Sequence, residues 1–192
     1  MRGGLIKISE YRNQLEDYLQ KLNIDIHVDK ILDIGAGDNH AKKRVTPLEY
    51  NIYKTLDIDN SHNPDFVADI NRAIKDFGQY DLIFCLEVFE YIWNPVQALI
   101  NINKLMKKEA TAYISFPFIY PMHNPVGIDY LRYTGEAIEK LLKETGFSYW
   151  IITARKATKG RTKLREFYDI EGMHARKDDN WDEIGHIVEI TK

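Results

Sequence analysis

The chain has 192 residues, 44% of them hydrophobic, enough for one compact domain with a real core. A net charge of -3 excludes a global positive field for nucleic acid. A single cysteine, Cys85, excludes a disulfide framework or a cysteine-rich zinc site, so no metal site is expected. No apolar run approaches the roughly 20 residues of a membrane span. Met1-Arg2-Gly3-Gly4 is not followed by the long apolar region of a signal peptide. These features fit a chain of the reducing cytoplasm.

A helix is expected over Ser9 to Leu22, because Tyr11, Leu15, Tyr18, Leu19 and Leu22 recur at helical spacing and Ser9 can cap it. Lys30 to Ile34 reads as the first strand. It is apolar except for Asp33 and runs into Gly35 and Gly37, where backbone must pass close to something. In an open α/β sheet the carboxyl ends of strands are where ligands bind. Further strands are expected at Ile52 to Asp57, Phe66 to Ile70 and Asp81 to Leu86. The last is a continuous apolar run of the kind buried on both faces. Asn94-Pro95 opens a helix, with Gln97 completing a capping box and Val96, Leu99, Ile100 and Met106 inward. Thr111 to Phe116 follows as a strand, and then a loop rich in proline. Thr134 caps a helix with Ala137, Ile138, Leu141 and Leu142 inward, and Gly146 ends it. Phe147 to Ala154 and Ile184 to Thr191 are the last two strands. Between them Arg155 to Arg165 carries six basic residues and no acid, and reads as an exposed loop. Strands alternating with helices argue for an α/β fold with a doubly wound, mostly parallel sheet.

The acids then line up. Asp33 precedes the glycines, Asp57 ends the second strand, Asp69 ends the third, and Glu87 sits at the tip of the fourth. All these tips share one edge of the expected sheet. This ordered set, with the passage Tyr80-Asp81-Leu82-Ile83-Phe84-Cys85-Leu86-Glu87-Val88-Phe89-Glu90-Tyr91-Ile92, resembles the class I S-adenosylmethionine-dependent methyltransferases. The run from Pro117 through His123 and Asp129-Tyr130-Leu131-Arg132-Tyr133-Thr134 to Gly146 resembles a bacterial small-molecule subgroup of that family. The resemblance covers roughly Lys30 to Gly146 and implies a seven-stranded Rossmann-like sheet with an antiparallel last strand. It divides a single 1–192 domain into an N-terminal helical cap (1–29), a cofactor-binding half (30–116) and an acceptor-side half (117–192) carrying the basic loop 155–165.

The resemblance implies S-adenosylmethionine as cofactor and assigns roles residue by residue. Gly35 and Gly37 would pass under its methionine part, and Asp33 would face the amino group or the loop. Asp57 would accept the ribose hydroxyls, Ile58 would pack on the adenine, and Asp69 would accept from the adenine amino group near the Ile70 amide. Leu86 and Glu87 would floor the methyl donor. The reaction implied is methyl transfer to a small-molecule acceptor, an oxygen of a sugar or cell-surface precursor. His123 is the candidate base, because a neutral imidazole can take a proton from a hydroxyl. His123, Asp129 and Arg132 are the candidate acceptor-binding residues. The basic run is read first as a plain solvated loop; its functional alternative is to draw in a phosphorylated or nucleotide-linked acceptor, with nucleic acid the weaker option. The oligomeric state is not specified.

Each role has a plainer alternative. Asp57 and Asp69 can cap the segments that follow them, Glu87 can be a solvated strand end, and His123 can bond a loop carbonyl. Asp129 and Arg132 can simply pair. Asn39 stands where the family often has a third glycine, and asparagine tolerates left-handed φ. Tyr91 stands where the family often has histidine. These departures leave a non-catalytic cofactor-binding relative as the alternative. A nicotinamide dehydrogenase fits less well, because His40 occupies the last glycine position of its fingerprint.

Overall fold

The computed structural model describes residues 9–22, 24, 27–122, 128–157 and 182–192. Its strands are β1 (Val28–Ile34), β2 (Tyr50–Asp57), β3 (Phe66–Val67), β4 (Tyr80–Cys85), β5 (Met106–Pro117), β6 (Tyr149–Lys156) and β7 (Glu183–Thr191). Among the described residues three α-helices accompany them: α1 (Glu10–Gln20), α2 (Pro95–Leu105) and α3 (Gly135–Glu144). The strands form one sheet in the order β3-β2-β1-β4-β5-β7-β6. β1 to β5 pair in parallel, and β7 runs antiparallel to both β5 and β6. This is the expected mostly parallel sheet with an antiparallel last strand.

The alternation of side chains along each strand divides the core between two faces. Leu32, Ile34, Ile83, Cys85, Ala112 and Ile114 lie in one cluster with Ala98, Leu99 and Ile102 of α2 and Ile138 and Leu142 of α3. Ile31, Leu82, Phe84 and Tyr113 face the other way and pack with Leu15 and Leu19 of α1 and with Ala41 and Val45. α1 is therefore a layer of the fold. Ser9 caps it by accepting the Arg12 amide, and Gln14 holds the Lys156 backbone, accepting its N–H at 2.6 Å and donating to its carbonyl.

Several local expectations are corrected. The first two links between strands, where no helix was expected, carry short 3-10 turns at Ala41–Lys43 and Asn60–His62. β3 stops at Val67, because the next residues turn: the Asp69 carboxylate accepts the Asn71 amide at 2.9 Å and its carbonyl accepts the Arg72 amide. Met106 belongs to β5, where it pairs with Tyr80, although it is fully buried. Val96 and Ala137 point outward from their helices, one residue off the buried stripe. Asn94 caps α2 by accepting the Gln97 amide at 3.3 Å, but the Gln97 side chain reaches forward to Asn101 and leaves the capping box half made. Gly146 has the expected left-handed φ of 86° at the end of α3.

Asn101 links α2 to the rim of the sheet. Fully buried, it donates to the carbonyls of Ile70 at 2.9 Å and Arg72 at 2.7 Å. Asn101→Leu strands those acceptors, which costs roughly 2 kcal/mol of stability. Urea denaturation of the variant is expected to show a lower midpoint with an unchanged slope.

Candidate functional site

The strand order reverses between β1 and β4, whose neighbours in sequence lie on opposite sides. Loops leaving those two carboxyl ends diverge, and a crevice opens between them. A cleft of about 560 Å³ occupies this place, lined by Gly35, Gly37, Asp57, Ile58, Asp69, Ile70 and Glu87 together with Tyr91, Trp93, Ile128 and Tyr130. A smaller cavity of about 140 Å³ lies on the other side of the glycine loop, lined by Arg12, Asp33, Asn39, Arg44, Leu86 and Glu87. Gly35 and Glu87 line both.

The glycine loop is built by its neighbours. Gly35 and Gly37 have φ of 66° and 49°. A Cβ on Gly35 would stand 2.4 Å from a Val88 methyl, so that turn requires glycine twice over. Asp33 is 3% exposed, and its Oδ2 accepts the Ala41 amide at 2.7 Å and the Tyr53 hydroxyl. Burial pushes its carboxyl pKa up, and those two hydrogen bonds oppose the shift. Of its two expected roles, Asp33 visibly fills that of holding the loop. Asn39 closes the turn with its amide on the Ala36 carbonyl, and its φ is not left-handed.

Asp57 accepts the Gly37 amide at 3.2 Å on Oδ2 and the Asp59 amide at 3.0 Å on Oδ1. It thus holds its own turn and the glycine loop, with lone pairs left on the cleft side. Ile58 is 65% exposed. Asp69 Oδ1 accepts both the amide and the side-chain N–H of Asn71. The Asn71 Oδ1 in turn accepts the amides of Trp93 and Asn94, tying the two walls of the cleft together. Asp69 therefore caps its turn and also lines the cleft. His62 enters the cleft wall, and its hydrogen bond with Asp38 raises its pKa.

Glu87 is no solvated strand end. Its φ is 58°, rare for a residue with a side chain, and such strain collects at functional positions. Its amide donates to the Ser115 hydroxyl at 2.7 Å, and that hydroxyl donates back to its carboxylate at 2.9 Å. The Arg155 guanidinium donates to the same oxygen at 2.8 Å. Arg155 is 1% exposed, which corrects its expected place in an exposed basic loop. It lies one residue from the end of β6, inside the molecule, while the last residue, Lys156, is exposed. Residues 158–165 of the basic run lie outside the described residues.

Next to Glu87 sits a second carboxylate, Glu90, on the turn Phe89–Tyr91. It is 3% exposed, and its Oε2 has no hydrogen-bond partner among the described residues. Burial, then the neighbouring Glu87 charge, push its pKa up to about 7; Asp129 adds to this and Arg132 opposes it. Tyr11, Tyr91 and Tyr133 also face it. Burial lifts the Tyr91 phenol to about 12, so at neutral pH it is a donor and no base.

Asp129 and Arg132 adopt the pairing alternative. Arg132 grips both Asp129 oxygens at 2.5 and 2.9 Å and donates to the carbonyls of Tyr120, Pro121 and Leu131, and neither residue lines the cleft. His123 lies outside the described residues. Phe116, within β5, and Tyr133 are core, whereas Tyr130, 51% exposed, reaches the cleft beside Ile128 and Trp93. Trp93, Ile128, Arg12 and Arg155 were not legible as site residues, since no spacing pattern marks them. Glu90 was visible only as the residue before Tyr91.

The geometry is that of the S-adenosylmethionine-dependent methyltransferase class. The model of one family, described as a methyltransferase domain, matches residues 8–151, and the chain belongs to that family. It is 25% identical over 126 residues to the ubiquinone biosynthesis O-methyltransferase of Rickettsia bellii, covering 59% of this chain and 52% of that protein. The chain thus spans about half the length of the curated relatives it matches. Among solved structures it is similar to an S-adenosylmethionine-dependent methyltransferase from Mesorhizobium loti, with a TM-score of 0.62, 12% identity and coverage of 95% of this chain and 98% of that one. It is also similar to the N-methyltransferase NodS from Bradyrhizobium japonicum WM9 in complex with S-adenosylhomocysteine, with a TM-score of 0.61, 12% identity and coverage of 95% and 87%. At these identities the structures speak for the fold.

Glu90 makes a prediction about pH. Its folded pKa of about 7 lies above the ordinary 4.5, so the folded state binds the proton more tightly than the unfolded state. Its contribution to stability therefore falls as pH rises from about 4.5 to 7 and stays lost above that. Glu90→Gln removes the loss. The variant is expected to gain on wild type between pH 5 and 8, by up to roughly 3 kcal/mol, in melts at matched ionic strength. A constant difference across that range would show that Glu90 is not protonated in the fold.

Proposed function

We propose that this chain transfers a methyl group from S-adenosylmethionine to a small-molecule acceptor. The observation that carries the reading is the pair of cavities joined at Gly35 and Glu87: a large cleft ending at Asp57 and Asp69, and a small polar one behind the glycine loop. A nucleoside bearing a side arm on its 5′ carbon fits that division. Asp57 offers carboxylate lone pairs to ribose hydroxyls, Ile58 and Ile70 offer apolar surface to the adenine, and Asp69 offers an acceptor to its amino group. Gly35 and Gly37 let the arm pass close to backbone. Asp33 keeps the loop in place, and Leu86 and Glu87 form the floor.

The cofactor supplies an electrophilic methyl on a sulfonium. The protein's part is to bind and orient, and to exclude water. A cationic donor meeting a neutral or anionic acceptor loses separated charge at the transition state, so a dry cleft does not oppose the step.

The acceptor enters over Tyr91, Trp93, Ile128 and Tyr130. These flat or apolar groups suit a ring presented face-on, and this supports the finer reading of an oxygen on a sugar or cell-surface precursor. No lysine or arginine lines the large cleft among the described residues, so nothing there favours a phosphorylated or nucleotide-linked acceptor. An oxygen acceptor gives up a proton, and His123 remains the candidate to take it.

Calorimetry with S-adenosylhomocysteine and NAD tests the cofactor. Heat with the first and none with the second is expected, and no heat with S-adenosylhomocysteine at high protein concentration refutes the reading. Asp57→Ala is expected to weaken that binding by about 1–3 kcal/mol. Unchanged affinity in a folded variant would mean that Asp57 only caps its turn. With a ring-hydroxyl acceptor panel, His123→Ala is expected to lower turnover while cofactor affinity stays near normal. Tight binding with no turnover across the panel would point to a non-catalytic binding protein.

A further inference from the structure

We infer that Arg155, near the end of β6, is a positioning residue that sets two walls of the small cavity, where the cofactor reading places the amino-acid head. The inference rests on the cofactor reading above, but Arg155 lies beyond the residues 8–151 that the family model matches.

Arg155 is buried and fully committed. Its Nη1 donates to the Glu87 carboxylate at 2.8 Å, while Nε and Nη2 donate to the Tyr11 carbonyl at 3.2 and 2.6 Å. Its guanidinium carbon sits 3.3 Å from the centre of the Tyr11 ring, which also packs on Tyr120 at 4.5 Å. Gly185, opposite Arg155 in the β6–β7 ladder, leaves the room: a Cβ there would stand 2.9 Å from both the Phe116 carbonyl oxygen and the Tyr11 ring. One side chain thus ties the first turn of α1 to the turn after β4.

Those two segments are opposite walls of the small cavity. The residue after Tyr11 is Arg12, which lines the cavity. Its Nε stands 3.7 Å from Glu16, which Arg44, also on the cavity lining, holds at 2.9 and 3.1 Å, so two arginines share one acid on this wall. Glu87 and Asp33 put carboxylates on the other side. Basic and acidic residues lining one cavity of about 140 Å³ complement an α-carboxylate and an α-ammonium held a few ångströms apart. The planar fork is what lets one residue serve an anion and a carbonyl in fixed directions at once, which a lysine cannot reproduce.

The test compares two nucleoside thioethers that differ only in the amino-acid head: S-adenosylhomocysteine, which has it, and 5′-methylthioadenosine, which lacks it. Binding of both is measured by calorimetry on the full chain. Arg155→Met is expected to weaken S-adenosylhomocysteine about tenfold or more and methylthioadenosine less than about twofold. Arg155→Lys is expected to recover part of the loss. Equal weakening of both ligands would assign Arg155 to general packing, and no weakening of either would remove it from the site; each result overturns the inference. If the methionine variant does not fold, Arg155→Lys is combined with Arg12→Ala. Losses for S-adenosylhomocysteine that are less than additive support a shared role, and strictly additive losses overturn it. Failure of the wild type to bind either probe would instead overturn the cofactor reading itself.

Discussion

Everything at the site follows from β1 and β4 lying side by side while the chain leaves them in opposite directions. Parallel strands cannot be joined by tight turns, so each needs a crossover, and crossovers on opposite sides cannot fill the space between them. The gap is where the glycine loop after β1 and the turn after β4 meet. Its walls are strand ends anchored in a core of fully buried residues such as Ile31, Leu32, Ile83 and Phe84. The position of the acids is therefore rigid, although they sit on loops.

The buried charges are arranged around that gap in an uneven way. Beside the turn after β4, Glu87, Glu90 and Asp129 lie with Arg132 and Arg155. Arg132 holds both oxygens of Asp129, while Arg155 and Ser115 both donate to one oxygen of Glu87. Glu90 is left with one unpartnered oxygen, and its neutral form is favoured up to about pH 7. Burying an unpaired charge is expensive, and protonation is the cheaper outcome. The same cluster carries the left-handed backbone of Glu87, so strain and charge are concentrated in one turn next to the cleft.

Most of the sheet was legible because its signals are local. Buried parallel strands are apolar runs, and β1, β4 and β5 are legible as such, with boundaries off by a residue or more, whereas the antiparallel β7 is legible from its alternation. The caps at Ser9, Asn94 and Thr134 were legible because a side chain bonds an amide only two or three residues away. β3 was overextended, because a carboxylate that makes a turn looks like one that ends a strand. Met106, Val96 and Ala137 were misplaced because an apolar residue one position off a helical stripe cannot be told from one on it until the packing partner is known.

The sequence by itself determined the class of fold, the glycine turn and the acids at the strand tips, because each depends on residues within one element or one loop. It could not determine which charges are buried or what they face. Arg155 read as the start of a solvated basic run, and Asp129 and Arg132 as acceptor ligands or a pair, with nothing local to choose. Only the tertiary structure brought Arg155 onto Tyr11, 144 positions away, and onto Glu87, 68 positions away. A contact across that much chain leaves no periodicity or spacing to read, since it exists only once the sheet has placed β6 beside β7 and docked α1 against its end.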